Sequence, residues 1–222
     1  MKRKGKEVET IELTQDDINI HTLFEEFHSL KNFPPGEGTY FPNTASWLSE
    51  REEAHQDFRK RFRSPGLNPS NTKEVFRDFL YFRNNKSWTT LYRTGTSALE
   101  TPERLLALIS WLVDDAVNVN QKLNKAISGD KKVKGIGKNI LTGIIHVCDE
   151  NDKYGVWNGR TEHTLKLLRR MPAHARFPGE TYDRINAELH QLKNELSTNL
   201  GEIDCFMWYI SKRVKVIGHV VG

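Results

Sequence analysis

Apolar residues recur every three or four positions along most of this chain, the spacing that gives an α-helix one buried face. Short polar segments and segments rich in proline and glycine separate these runs. Residues 214–221 carry enough β-branched side chains to favour a terminal strand or an extension of the core. The pattern predicts a mostly α-helical protein, with helices at about 18–27, 47–63, 72–82, 101–113, 117–127, 140–147, 159–168, 182–196 and 203–210.

Two proline-bearing segments interrupt the helical pattern in the first third of the chain. Residues 33–42 contain three prolines and predict a loop. Residues 64–70 read Ser-Pro-Gly-Leu-Asn-Pro-Ser and form the best internal hinge. We therefore expect an N-terminal extension with its own helices over residues 1–70 and a helical domain over residues 71–222. The alternative is one continuous domain.

Charge leaves several function classes open. A net charge of +4 over 222 residues permits nucleic-acid binding without demanding it. The basic cluster at residues 59–63 predicts either a contact with a DNA backbone or a solvated helix end. Lysines and arginine at positions 2–6 have the same two interpretations, a loose arm on phosphates or a solvated terminus.

The patterns of cysteine, histidine and hydropathy limit which cellular compartment and which cofactors we expect. Cys148 and Cys205 lie singly inside apolar stretches, which predicts buried thiols rather than a disulfide or a metal site. The eight histidines show no metal-ligand spacing, so we expect no metal and no cofactor. No apolar run reaches membrane length, and we expect a cytoplasmic protein without a membrane partner.

A glycine motif at residues 134–139, Lys-Gly-Ile-Gly-Lys-Asn, organises the functional interpretation. Gly135 and Gly137 on either side of Ile136 predict a tight turn between two helices, with the isoleucine filling the core. The second helix would then direct its free N–H groups at a phosphate. The alternative is an ordinary glycine-bearing connection. The predicted DNA-binding residues here are Lys134, Gly135, Gly137, Lys138 and Asn139.

This motif and the apolar run after it resemble the helix-hairpin-helix base-excision DNA glycosylase superfamily. In that superfamily a Gly-Ile/Val-Gly turn opens a helix, and a catalytic Asp follows after an apolar helix and a short loop. Asn158 lies 21 positions after Gly137, where the resemblance places that Asp. Asn139 occupies the position of the catalytic Lys of bifunctional members. The resemblance therefore implies a glycosylase-like helical fold and, for an enzyme, a monofunctional hydrolase.

Five segments, one of them within this glycine motif, resemble successive blocks of a poorly characterised bacterial family that occurs alone or attached to restriction and phage-defence components. The resemblance implies double-stranded DNA as a partner and a restriction or defence protein as a second one. It supplies no known activity. The blocks read NNKSWT at residues 84–89, LYR at 91–93, KGIGK at 134–138, YGVWN at 154–158 and IDCFMWY at 203–209.

The first of these blocks carries candidate DNA contacts. Glycosylases of the superfamily often place Asn or Gln in a turn after an early helix, where the side chain fills the gap left by an extruded base. Asn84 and Asn85 are the candidates, which would place Lys86 beside the DNA. The alternative is a helix C-cap and turn, in which Trp88 and Tyr92 pack on each other one helical turn apart.

Base removal passes through a positively charged sugar, so the site needs a negative charge or dipole and an oriented water. The predicted catalytic residues are Asn158, Glu162 and Asp204, with Arg160 on a flanking phosphate. Trp88, Tyr92 and Trp157 are the predicted stacking residues for an extruded base. The alternative for Asn158 and for Asp204 is helix capping.

These features support two related hypotheses and one from a different class. The first is a DNA glycosylase that flips and hydrolytically excises a modified base in phage defence or repair. The second is a non-catalytic reader of modified or damaged DNA for a restriction or defence partner. The third is a protein-interaction module whose hairpin binds no DNA.

Overall fold

A computed structural model describes residues 10–36 and 39–217 of the chain. Most of these residues are helical, so the prediction of a mostly α protein is confirmed. The α-helices within these ranges are α1 (Ile20–Ser29), α2 (Thr44–Phe62), α3 (Pro69–Leu80), α4 (Phe82–Asn85), α5 (Tyr92–Gly95), α6 (Pro102–Val113), α7 (Val119–Ser128), α8 (Lys138–Cys148), α9 (Gly159–Leu167), α10 (Pro178–Glu195) and α11 (Leu200–Arg213).

Four short strands complete the described chain: β1 (Ile11–Leu13), β2 (Lys31–Gly36), β3 (Thr39–Asn43) and β4 (Val214–Val216). β1 pairs in parallel with β4, which confirms the beginning of the predicted terminal strand. Residues 218–221 of that strand and the basic residues at positions 2–6 lie outside the described ranges.

The prediction of a loop over residues 33–42 is wrong. β2 and β3 form an antiparallel ribbon in which Lys31 pairs with Asn43 and Phe33 pairs with Phe41. Prolines are compatible with such a ribbon because each strand has a partner on one side only, so the N–H groups on its other edge need no ladder bond.

Helix α8 lies at the centre of the fold. All of its residues from Ile140 to Cys148 are buried, and it packs against α2, α6 and α7. The core around it contains residues from both sides of the predicted hinge, including the clustered rings of Phe58, Phe62 and Phe79. Within this buried run the polar side chains of Thr142 and His146 are hydrogen-bonded to other parts of the chain.

Asparagine side chains cap many of the helix N-termini. In each case the side-chain oxygen accepts hydrogen bonds from backbone N–H groups that have no intrahelical partner. α8 has no side-chain cap, because its N-cap residue is Gly137; α6 and α10, which begin with proline, also lack one. The asparagine caps are Asn19 on α1, Asn43 on α2, Asn68 on α3, Asn118 on α7, Asn158 on α9 and Asn199 on α11.

Both cysteines are free and buried, as predicted. Burial raises the pKa of each thiol to about 12, so both stay protonated. Over the described residues, no helix is both long enough and apolar enough to cross a bilayer.

Candidate nucleic-acid interface and adjoining polar cluster

The glycine motif forms the turn between α7 and α8. Gly135 has φ of +83°, and a side chain there would overlap Ser97 Oγ and the carbonyl oxygen of Thr94. Both facts require glycine. Val133 and Ile136 are buried beneath the turn at 3% and 5% exposure. The turn is thus anchored by its apolar residues and by the close packing of Gly135.

The outward side of this turn is the open N-terminus of α8. Lys134, Gly137 and Asn139 are exposed, and a Cβ on Gly137 would meet nothing within 4 Å. The carbonyl of Gly137 accepts from the N–H groups of residues 140 and 141. Among the described residues, no acceptor is recorded for the N–H groups of Lys138 and Asn139. These amides carry the positive end of the helix dipole.

Lys138 is only partly available at this surface. Its ammonium group forms an ion pair with Glu162 and lies 4.6 Å from the centre of the Trp157 ring. Glu162 also accepts a hydrogen bond of 2.8 Å from the Trp157 indole. Partial burial raises the pKa of Glu162, but the hydrogen bonds from Lys138 and Trp157 outweigh it and the pKa lies below its ordinary value.

Asn158 caps α9. Its side-chain oxygen accepts from the N–H groups of Arg160 at 2.8 Å and Thr161 at 3.0 Å, and the residue is 9% exposed. Thr142 on α8 holds the preceding residue in place by accepting from the Trp157 N–H at 2.9 Å. The structure therefore shows Asn158 as a helix cap. Its catalytic assignment stays a prediction.

A small recess brings several of the predicted site residues together. Asn158, Arg160, Asp204 and Trp88 line it, together with residues that include Trp208. Its volume is about 10 Å³, which is room for roughly one water molecule. Glu162 is not among the lining residues, so two of the three predicted catalytic residues share this recess.

Asp204 forms a buried ion pair rather than facing the recess with a free charge. Its carboxylate accepts from Arg51 Nη2 at 3.0 Å, and the two side chains are 9% and 4% exposed. Arg51 Nε also donates to Ser87 Oγ at 2.7 Å. Breaking such a pair by removing one partner leaves an uncompensated buried charge, so both residues are needed for stability.

Two buried histidines complete this polar cluster. His146 donates from Nδ1 to the carbonyl of Tyr154 at 2.8 Å, so its Nε2 accepts from Arg51 at 3.3 Å. His55 Nε2 lies 2.9 Å from Ser87 Oγ. Burial lowers the pKa of both imidazoles below the ordinary value, and the charge of Arg51 lowers it further. Both rings are therefore neutral near pH 7.

Sequence reasoning missed this cluster. Arg51 and His55 lie on the buried face of α2, spaced by one helical turn from Trp47 and from each other. A charged or titratable residue at a core-facing helical position is the signal that would have found both of them. Ser87 and His146 carry no such signal, because a serine in a turn and a histidine in an apolar run are common.

The two candidate asparagines of the first block differ in placement. Asn85 is fully buried; its oxygen accepts from the N–H groups of Ser87 and Trp88, and its amide donates to two carbonyls. Asn84 is exposed. In this conformation Asn85 holds the turn, so the gap-filling prediction rests on Asn84. Lys86 forms an ion pair of 3.0 Å with Glu50.

The predicted stacking residues also differ in exposure. Trp88 and Trp157 are 7% and 5% exposed, and Trp88 stacks on His55 with a centroid distance of 5.5 Å. Tyr92 is partly exposed and stacks on Tyr81 at 5.9 Å. Of the three rings, Tyr92 is the one that a base could reach without a rearrangement of the core.

The basic cluster at residues 59–63 closes the other end of α8. Arg59 donates from Nε to the carbonyl of Val147 at 2.9 Å and from Nη2 to that of Asp149 at 3.1 Å. Arg63 donates to the carbonyl of Cys148 at 3.0 Å and pairs with Asp115. Two residues of the cluster, Arg59 and Arg63, therefore complement the negative end of the helix dipole.

The chain matches no protein-family model, no curated protein and no solved structure. Within the described residues, no group of His, Cys, Asp and Glu side chains is arranged to hold a metal ion.

Proposed function

We propose that this protein binds DNA by placing a backbone phosphate on the open N-terminus of α8. The observation that carries the proposal is the turn at residues 134–139, whose apolar residue is buried while Lys134, Gly137 and Asn139 are exposed and the N-terminus of α8 has no side-chain cap. Free N–H groups at the positive end of a helix form a ready anion site. Because Gly137 has no side chain, a phosphate can approach these N–H groups closely.

The charge around the turn supports a polyanionic ligand. Lys132 and Lys134 are exposed beside the turn, and the ammonium groups of Lys125 and Lys131 lie 5.1 and 5.6 Å from the centre of the Trp111 ring. These side chains lie on α7 and on the segment that leads into α8. Several cations along one surface fit the regular phosphates of a duplex better than a single small anion.

Within this proposal, the protein recognises DNA without excising a base. Asn158 uses its side-chain oxygen to cap α9, Asp204 is paired with Arg51, and the recess between them has about 10 Å³. An extruded base needs a pocket of its own. The resemblance of the five sequence blocks supplies the rest of the proposal, a restriction or defence protein that acts on the recognised DNA.

The test is fluorescence anisotropy with a labelled duplex, measured over a range of salt concentrations. Lys134→Glu should weaken binding roughly tenfold and reduce the salt slope by about one, because one phosphate contact is lost. Lys60→Glu is the matched control: Lys60 is equally exposed but belongs to the basic cluster near the opposite end of α8. Equal losses in the two variants, or no loss in Lys134→Glu, would contradict a phosphate site at the turn.

One observation favours excision as a second candidate function: Asn158, Asp204, Trp88 and Arg160 line a common recess. An opening of that recess on DNA binding would admit a base between Trp88 and Trp208. The test is incubation with duplexes that carry modified bases, followed by detection of abasic sites. Excision requires abasic sites from the unmodified chain and fewer of them from Asn158→Ala. Duplexes that remain intact support recognition alone.

A further inference from the structure

A cleft of about 360 Å³ opens beside the C-terminal end of α8, away from the turn that begins this helix. Its volume is at the lower end of the range for small-molecule sites. Residues of α2, the segment after α8 and the start of α11 line it, among them Arg51, His55, His146 and Gly201. The cleft therefore shares its floor with the buried polar cluster.

Arg51 supplies an unused donor on this floor. Its Nε and Nη2 atoms donate to Ser87, Asp204 and His146. No partner for Nη1 is recorded among the described residues, although the side chain is only 4% exposed. A guanidinium has donors and no acceptor, so Nη1 can donate to an oxygen that enters the cleft. A methyl group on Gly201 would lie 2.9 Å from Nη1, which places Gly201 directly beside the unused donor.

One further donor, the N–H of Gly201, lies beside Arg51. The N–H of Leu200 donates to Asp152 and that of Glu202 to Asn199, whereas no acceptor for the N–H of Gly201 is recorded in the described chain. The floor thus offers donors suited to an oxyanion at the positive end of α11.

The rim of the cleft has the opposite character. Glu52 and Glu150 are exposed lining residues, and no ion pair is recorded for either within the described ranges. The other lining carboxylates already have partners: Asp152 pairs with Lys193, Glu202 with His28, and Asp149 accepts from backbone N–H groups. A simple anion would be repelled at this rim, whereas a positively charged group would be attracted.

We propose that this cleft binds a small zwitterion, with its carboxylate or phosphate on Arg51 Nη1 and the Gly201 N–H and its ammonium group between Glu52 and Glu150. The proposal is independent of DNA binding, because the two sites lie at opposite ends of α8.

The test uses nuclear magnetic resonance of the ring nitrogens of His55 and His146 in the full chain. The probes are 4-aminobutyrate, O-phosphoethanolamine and acetate at matched ionic strength. Both zwitterions should shift the ring signals with an affinity at least tenfold higher than that of acetate. Comparing the affinities of the two zwitterions distinguishes a carboxylate from a phosphate ligand.

Three variants locate the ligand. Gly201→Ala should weaken both zwitterions at least tenfold by crowding Arg51 Nη1, while Gly66→Ala, in an exposed turn, should change nothing. The double variant Glu52→Gln, Glu150→Gln should weaken the binding of both zwitterions severalfold without weakening the binding of acetate. DNA affinity should be unchanged throughout. Ring signals that do not move with any probe, full binding to Gly201→Ala, or equal losses for acetate and zwitterions in the glutamine variant would overturn the proposal.

Discussion

The two ends of α8 differ in whether other side chains of the protein bind their backbone polar groups. At its C-terminus, Arg59 and Arg63 reach from α2 and the residue after it to donate to the carbonyls of residues 147, 148 and 149. At its N-terminus, Gly137 provides no side-chain cap and the adjoining lysine and asparagine surface is exposed. The same helix is therefore closed at one end by charged donors and left open at the other.

Under the proposed function, this difference lets one buried helix contribute both to stability and to binding. Unpaired polar groups at a helix end need a partner from the protein, the solvent or a ligand. The carbonyl end of α8 is satisfied by the protein, and most of the other N-termini discussed here are satisfied by asparagines. No acceptor is recorded among the described residues for the N–H groups of Lys138 and Asn139, and we propose that a DNA phosphate is their partner.

The largest effect we expect comes from the residue that shapes the open end. Gly135→Ala should lower the free energy of unfolding by roughly 3 kcal/mol, because φ of +83° and the overlap with Ser97 and Thr94 both oppose a side chain. Chemical denaturation measures this change. Gly66→Ala is the control and should alter stability by less than about 0.5 kcal/mol. Similar stability of the two variants would show that the turn does not have the described geometry.

A somewhat smaller effect should follow from opening the closed end. Arg59→Ala removes two charged hydrogen bonds to the last carbonyls of α8 and should cost about 2 kcal/mol of stability. Lys60→Ala is the control, because its exposed side chain makes no such contact with α8. DNA affinity at temperatures well below unfolding should be the same in both variants. A loss of affinity in Arg59→Ala alone would place DNA at the wrong end of the helix.

The smallest effect concerns pH and the neutral histidines near the closed end. Since burial lowers the pKa of His55 and His146 in the folded state, only the unfolded chain takes up these protons as the pH falls below 6.5. Stability should therefore be intact above pH 6.5 and should fall between pH 6.5 and 5.5, by roughly 1 kcal/mol from His55, whose pKa is lowered well below its ordinary value, and by less from His146. Denaturation at several pH values measures the slope, which should flatten in His55→Gln. An unchanged slope would mean that His55 titrates normally in the fold.

The sequence predicted the helical class well because apolar periodicity is a local signal. The helices at residues 102–113, 138–148 and 178–195 follow their periodic segments closely. The ribbon at residues 31–43 was missed because prolines suggested a loop, whereas a two-stranded ribbon tolerates them. Local signals therefore located most elements without defining their pairing.

The candidate site was only partly predictable for the same reason. The turn at residues 134–139 could be found because its glycines are adjacent. The polar cluster could not, because Arg51 meets His146 and Asp204 at separations of 95 and 153 residues. Which buried charges pair across such distances is decided by packing, and the sequence of any one segment does not contain that information.

The most direct test of the open-end account is Gly137→Asp. Aspartate is a favourable N-cap, and the backbone at Gly137, with φ of −112°, accommodates it. Its carboxylate would occupy the free N–H groups of α8 and repel a phosphate. The account predicts unchanged or slightly higher stability by denaturation, together with at least a tenfold loss of duplex affinity by anisotropy. Full DNA affinity in this variant would contradict the account.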